Sequence, residues 1–239
     1  MKIFLLAFTI CALATGALCA QSNNSSVIQI SIYAFERAKN HHQIYLETSD
    51  EKPYEIALST ANILGPFKTL RDEDGAVTLR MKKTNKEGIT VYPALTKVKI
   101  KATIKEPLLI LVPVSGGKAY RTFVTDKSWD SFPKGSYQLI NFSPNEVRGL
   151  IGDTLIKAAP GKIISFKPSS NVEGLLDVHF QYGHEKGWKT FGRTKWVRRL
   201  EKRSLLCTFT DPKRKRMKIR AVNLQSIRPL RDRFKRSSQ

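Results

Sequence analysis

The chain has 239 residues, 41 of them Lys or Arg and 20 Asp or Glu, for a formal net charge of +21. That length holds one large or two small domains with a packed core. Three cysteines exclude a scaffold stapled by several disulfides, and the cation excess turns the surface toward anionic partners.

Residues 1–20 read as a secretory signal peptide. Lys2 precedes the apolar run from Ile3 to Ile10, and small residues end at Leu18-Cys19-Ala20 before the polar Gln21-Ser22-Asn23-Asn24. The apolar run is short for a hydrocarbon core of about 30 Å, so export with cleavage after Ala20 is expected rather than a retained span. Cleavage would remove Cys11 and Cys19, and leave Cys207 in the apolar stretch Leu205-Leu206-Cys207 as a core thiol. The expected location is the periplasm, cell envelope or extracellular space.

Strand signals dominate the rest. Residues 27–33 and 98–104 alternate apolar and polar, the second putting its lysines and Thr103 on one face. Further strand-like runs fall at 43–47, 54–58, 77–81, 89–92, 108–114, 120–125, 137–142, 163–166, 176–182, 204–209 and 217–222. Asp72-Glu73-Asp74-Gly75, Ser115-Gly116-Gly117, Pro133-Lys134-Gly135 and Pro160-Gly161 supply turns, proline by its fixed φ and glycine by tolerating positive φ. Short helices are expected only at 58–64 and 192–200. Many short strands at about ten-residue spacing predict an all-β fold, an antiparallel Ig-like β-sandwich as two small domains or one elongated one. The expected boundary lies at Lys105-Glu106-Pro107. It separates an N-terminal β domain at 27–105 from a C-terminal one at 107–226, followed by a basic tail at 227–239 that reads as disordered.

Several of these residues carry a family likeness. Glu106-Pro107 with the apolar run to Pro113, Tyr120-Arg121, Asp126, Ser128, Phe132-Pro133-Lys134-Gly135-Ser136, Asn141-Phe142-Ser143 and Ala159-Pro160-Gly161-Lys162 follow one another. Over roughly residues 50–210 this resembles a group of uncharacterised exported bacterial β-sandwich proteins. The resemblance implies an envelope-located sandwich and carries no assigned activity.

The cations are concentrated. Residues 189–239 hold 18 Lys or Arg against Glu201, Asp211 and Asp232, a net +15. Lys213-Arg214-Lys215-Arg216 follows the turn start Asp211-Pro212, so the four cations should project from one hairpin tip. Lys218 and Arg220 should face outward on the following strand while Met217, Ile219 and Ala221 face the core. Arg198 and Arg199, beside Trp196, extend the stripe. These eight residues are the candidate polyanion-binding set, with an acidic envelope polymer or anionic lipid surface as the expected partner. A solvated basic face guarding an edge hairpin is the simpler alternative. Nucleic acid fits less well, because no nucleic-acid motif is visible.

Catalytic signatures are missing. There is no G-x-S-x-G, H-E-x-x-H, P-loop or G-x-G-x-x-G. Asp177, His179, His184 and Glu185 lack the spacing that focuses ligands on zinc, and His41-His42 reads as a loop. Asp126, Ser128 and Asp130 have no accompanying histidine, and Asn141-Phe142-Ser143 fits a glycosylation sequon. The reading is therefore a non-enzymatic binding protein with no cofactor, no metal and no catalytic residues. The alternatives are a structural subunit of an envelope assembly whose basic tail orders on a protein partner, and a hydrolase with scattered catalytic residues.

Overall fold

The computed structural model describes residues 26–39, 41–50, 52–114, 119–169, 174–211 and 214–224. The expected signal peptide at 1–20, the expected turn at Ser115-Gly116-Gly117, Lys213 and the expected basic tail at 227–239 lie outside the described residues. Eighteen strands are present among the described residues: β1 (Ser26–Ala34), β2 (Gln43–Leu46), β3 (Tyr54–Ala57), β4 (Leu64–Arg71), β5 (Ala76–Arg80), β6 (Lys83–Thr84), β7 (Thr90–Val91), β8 (Ala94–Lys99) and β9 (Pro107–Pro113) come first. They are followed by β10 (Tyr120–Asp126), β11 (Tyr137–Asn141), β12 (Val147–Ile151), β13 (Thr154–Ala158), β14 (Ile163–Phe166), β15 (Gly174–His184), β16 (Gly187–Arg198), β17 (Ser204–Thr210) and β18 (Met217–Asn223). Among the described residues there is no helix.

Both expected helices are strand or turn. At 58–64 the Ser59 hydroxyl accepts hydrogen bonds from the Ala61 and Asn62 amides at 3.2 and 3.0 Å, a local bond that competes with helix. Residues 192–198 belong to β16, whose full-length pairing with β15 outweighs any helical periodicity. The alternating run at 98–104 also stops early, because β8 ends at Lys99 and the Ile104 amide turns back to the Lys101 carbonyl at 3.1 Å.

The strands form four four-stranded sheets and the small β6–β7 hairpin, none closed into a barrel. Two sheets, in the orders β3-β2-β5-β8 and β13-β12-β15-β16, each have one face on a core. The other two, β10-β9-β1-β4 and β14-β11-β17-β18, are covered on both faces. In β9, Leu109 and Leu111 enter the first core with Ile32, Leu46 and Val77, while Leu108 and Ile110 enter the second with Phe123, Ile140 and Cys207. In β17, Leu205 and Cys207 share that second core, whereas Leu206 enters a third with Leu139, Val147, Val178 and Phe180. Alternate side chains leave opposite faces of a strand, so a sheet buried on both faces demands an unbroken apolar run. Leu108 to Val112 and Leu205 to Cys207 are such runs. β9 and β10 extend the sheet of β1, with β1 and β9 parallel. The sheets therefore divide across residues 127–136 and not at 105–107.

Burial of Cys207 pushes its thiol up to about 12 despite the nearby Arg220 cation. The Phe180 ring lies over Gly149: a Cβ there would sit 2.5 Å from the buried Phe180 ring and 3.3 Å from Ile156. Gly149→Ala should therefore lower unfolding free energy by about 1–3 kcal/mol through overpacking. Gly183→Ala, whose Cβ would meet nothing nearer than 3.8 Å, should change it by less than about 0.5 kcal/mol. Urea denaturation of the two variants checks both values.

Candidate anionic-ligand surface

Connections 142–146 and 159–162 cross between the last two sheets at one end, and 199–203 crosses at the other. A buried network fixes the first end. Asn141 donates to the Asn145 and Ala158 carbonyls at 2.7 and 2.9 Å, and its Oδ1 accepts from the Ser143 amide and from the Ser143 and Thr208 hydroxyls. Asn141 is fully buried, so the sequon at 141–143 offers no side chain to a glycosyl donor.

Strand direction places the β15–β16 and β17–β18 turns at this same end, and β18 packs against β16 across the layers. The two hairpin tips thus share one corner. Asp211 builds the β17–β18 tip: its amide donates to the Arg216 carbonyl at 2.8 Å, and its carbonyl accepts from Lys215 at 2.9 Å. Its Oδ1 accepts from the Arg214 amide at 3.1 Å. Lys215 sits in the left-handed region at φ 52°, which closes the turn. Arg214, Lys215 and Arg216 are exposed, as are Lys186 and Lys189 on the neighbouring tip. Lys218 pairs with Asp211 at 2.6 Å.

The other three arginines of the candidate stripe lie elsewhere. Arg220 donates to the Phe35 carbonyl at 2.6 Å and stacks over the Phe35 and Phe209 rings at 4.3 and 5.6 Å. The expectation that it faces outward is corrected: the second face of this sheet is covered by the N-terminal half, so an alternate position that would be solvated in an outer sheet is packed here. Arg198 is 1% exposed; its Nη2 donates to the Pro168 carbonyl at 3.1 Å, and among the described residues Nε and Nη1 have no partner. That burial removes it from the solvent-facing stripe. Arg199 is exposed, but at the opposite end of the sandwich from the tips.

The outer sheet contributes cations that lie far from the C-terminal run in sequence. Arg148 stacks over Trp188 at 4.2 Å and donates to Gln181 at 2.7 Å, while Lys157 lies 5.6 Å from the same ring. Only the pairing of β12 with β13 and β15 brings Arg148 level with Lys157 and Gln181. Their lone signal in the sequence is alternation in segments interrupted by glycine.

Asp177 and His179 do share the outer face of β15, where Asp177 lies 3.7 Å from Lys195 and His179 Nε2 lies 2.9 Å from Thr190 Oγ1. No three His, Cys, Asp or Glu side chains gather as a metal set among the described residues. No described helix is long and apolar enough to cross a membrane. Asp126 has a structural role at the junction of the halves. It accepts from the amides of Lys105, Glu106 and Ser128 at 3.2, 3.0 and 2.9 Å and from the Ser131 hydroxyl at 2.9 Å. No protein-family model matches this chain, and no curated protein matches it.

Two measurements separate frame from surface. Arg220→Ala should cost about 2–4 kcal/mol in urea unfolding, because it strips a charge-assisted bond and two ring contacts, whereas Arg214→Ser should cost less than about 0.5 kcal/mol. Burial alone would raise the Asp126 carboxyl, but the three amides and the hydroxyl outweigh it and hold the group at about 2. A depressed folded value stabilises the fold above the ordinary carboxylate value near ~3.9, and that contribution is lost as pH falls through about 2. Acid titration of stability should therefore flatten in this window in Asp126→Asn, which is uniformly less stable at neutral pH.

Proposed function

We propose that this is an exported, non-enzymatic binding protein of the cell envelope that attaches to an acidic polymer through the corner formed by the two hairpin tips. The observation that carries the reading is the convergence there of exposed Arg214, Lys215 and Arg216 with Lys186 and Lys189. Asp211 supports it by fixing the turn backbone, so the cations are offered from a turn of defined shape. Arg148 and Lys157, held against Trp188 on the adjoining sheet, lengthen the basic surface. Lys213 lies between Asp211 and Arg214 in the chain and belongs to the same proposed set.

A polymer suits this arrangement better than a small ligand, since the cations stand on convex hairpin tips. Such a surface draws polyanions by a summed positive potential whose reach falls to ~8 Å at physiological salt. Each neutralised anionic group releases counterions, so affinity falls steeply with salt. The Ig-like form of each half belongs to the same proposal, supported by paired four-stranded sheets around a core.

The test is retention on a heparin-type column across a salt gradient, with Lys186, Arg214, Lys215 and Arg216 all changed to Ser. A charge-matched control changes the exposed Lys82, Lys83, Lys86 and Lys101 to Ser. The tip variant should elute well before the native chain, with a salt slope shallower by up to about 0.9 per removed charge on a duplex-like polymer. The control should elute close to the native chain. Equal shifts in the two variants would mean that net charge alone governs retention, and would end the proposal. Retention of the native chain that survives high salt would favour a protein partner instead.

A further inference from the structure

The opposite end of the C-terminal half holds a concave feature of different character. A pit of about 220 Å³ opens there, lined by Tyr137, Val197, Arg199, Lys202, Ser204 and Asn223. Four strand ends build it: the starts of β11 and β17 and the ends of β16 and β18. The turn at 199–202 closes through a bond from the Lys202 amide to the Arg199 carbonyl at 3.1 Å, which sets the two cations on one short loop. Its base is tied down by the Gly135 amide, which donates to the Lys202 carbonyl at 2.9 Å.

The chemistry of this lining is one-sided. Among the described residues no carboxylate pairs with Arg199 or Lys202; the nearby Glu201 is engaged by Lys134. Ser204 Oγ donates to Asn223 Oδ1 at 3.3 Å, which occupies the carboxamide's oxygen and leaves its NH₂ as a donor. Tyr137 adds a hydroxyl. Near Tyr137 lies the fully buried Arg198, whose Nε and Nη1 have no hydrogen-bond partner among the described residues. Burial raises the Tyr137 hydroxyl above its ordinary value, and the Arg198 charge partly lowers it.

We propose that this pit is an oxyanion site for a phosphate group, free or borne as a monoester on a small polar ligand. A guanidinium fork, an ammonium, a carboxamide NH₂ and a phenol are all donors, and their number exceeds what a carboxylate's two oxygens require. The volume leaves room beyond the phosphate for the first atoms of an ester group. This site is independent of the basic hairpin corner, from which it is separated by the length of the strands.

Calorimetric titration of the full chain at low salt with inorganic phosphate, glycerol phosphate and acetate provides the test. Both phosphates should bind and acetate should bind at least tenfold more weakly, while Arg199→Gln and Lys202→Gln each lose about tenfold in phosphate affinity. Thermal melts matching the native chain would confirm that these two variants are folded. The triple variant Arg214→Ser, Lys215→Ser, Arg216→Ser should bind phosphate as the native chain does, whatever its behaviour on the polyanion column. The proposal is overturned if phosphate does not bind up to about 10 mM, or if acetate matches it. It also fails if the pit variants bind unchanged, or if the triple variant loses as much as they do. Binding of inorganic phosphate with glycerol phosphate excluded would overturn the monoester assignment.

Discussion

Covering two sheets on both faces is the constraint from which the rest of this molecule follows. The central strands β9 and β17 of these sheets are covered on both faces, so they carry unbroken apolar runs, and polar side chains buried beside them must find partners inside. Thr125 and Gln138 meet across this interior at 2.7 Å, linking the two inner sheets by a buried hydrogen bond. The shared middle core also explains why the halves divide at 127–136: β9 and β10 are needed to complete the sheet that the C-terminal half covers.

The same constraint sorts the arginines. A guanidinium can be drawn inward when its charge meets carbonyls and ring faces, and three of the C-terminal arginines are used this way. Arg203 lies 3.7 Å over Trp129 and donates to the Lys127 and Phe132 carbonyls, fastening the linker between the halves. Arg220 fastens β18 to Phe35, and the buried Arg198 donates to the Pro168 carbonyl. Desolvation lowers the Arg203 guanidinium below its ordinary value, a measure of how far it has left water. The lysines, whose compact charges hold water more strongly, stay on tips and edges.

In the proposed reading function divides by curvature: convex turns at one end would offer cations to an extended partner, and the concave end would offer donors to a compact one. Both ends are set by short connections, because the Asn141 network and the 199–202 turn leave little freedom in how the two sheets meet. Fixed loops on a rigid stack position charge at lower entropic cost than a flexible arm does.

From the sequence alone the all-β class, most strands and the turns at Gly75, Gly135 and Gly161 were legible, because alternation and positive-φ glycines are local signals. β4, β12, β13 and β16 escaped, since Pro66, Gly149 and a high density of charge blur alternation; Pro66 is tolerated because β4 is an edge strand. The cations at 214–216 were legible as a hairpin tip. Their company was not: Lys186 and Lys189 reach that corner only because β16 packs against β18. The fates of Arg198, Arg199 and Arg220 were equally hidden. Whether a charged side chain on a strand meets water or a ring depends on what covers its face. That covering comes from residues as distant in sequence as Phe35, so only the tertiary structure decides it.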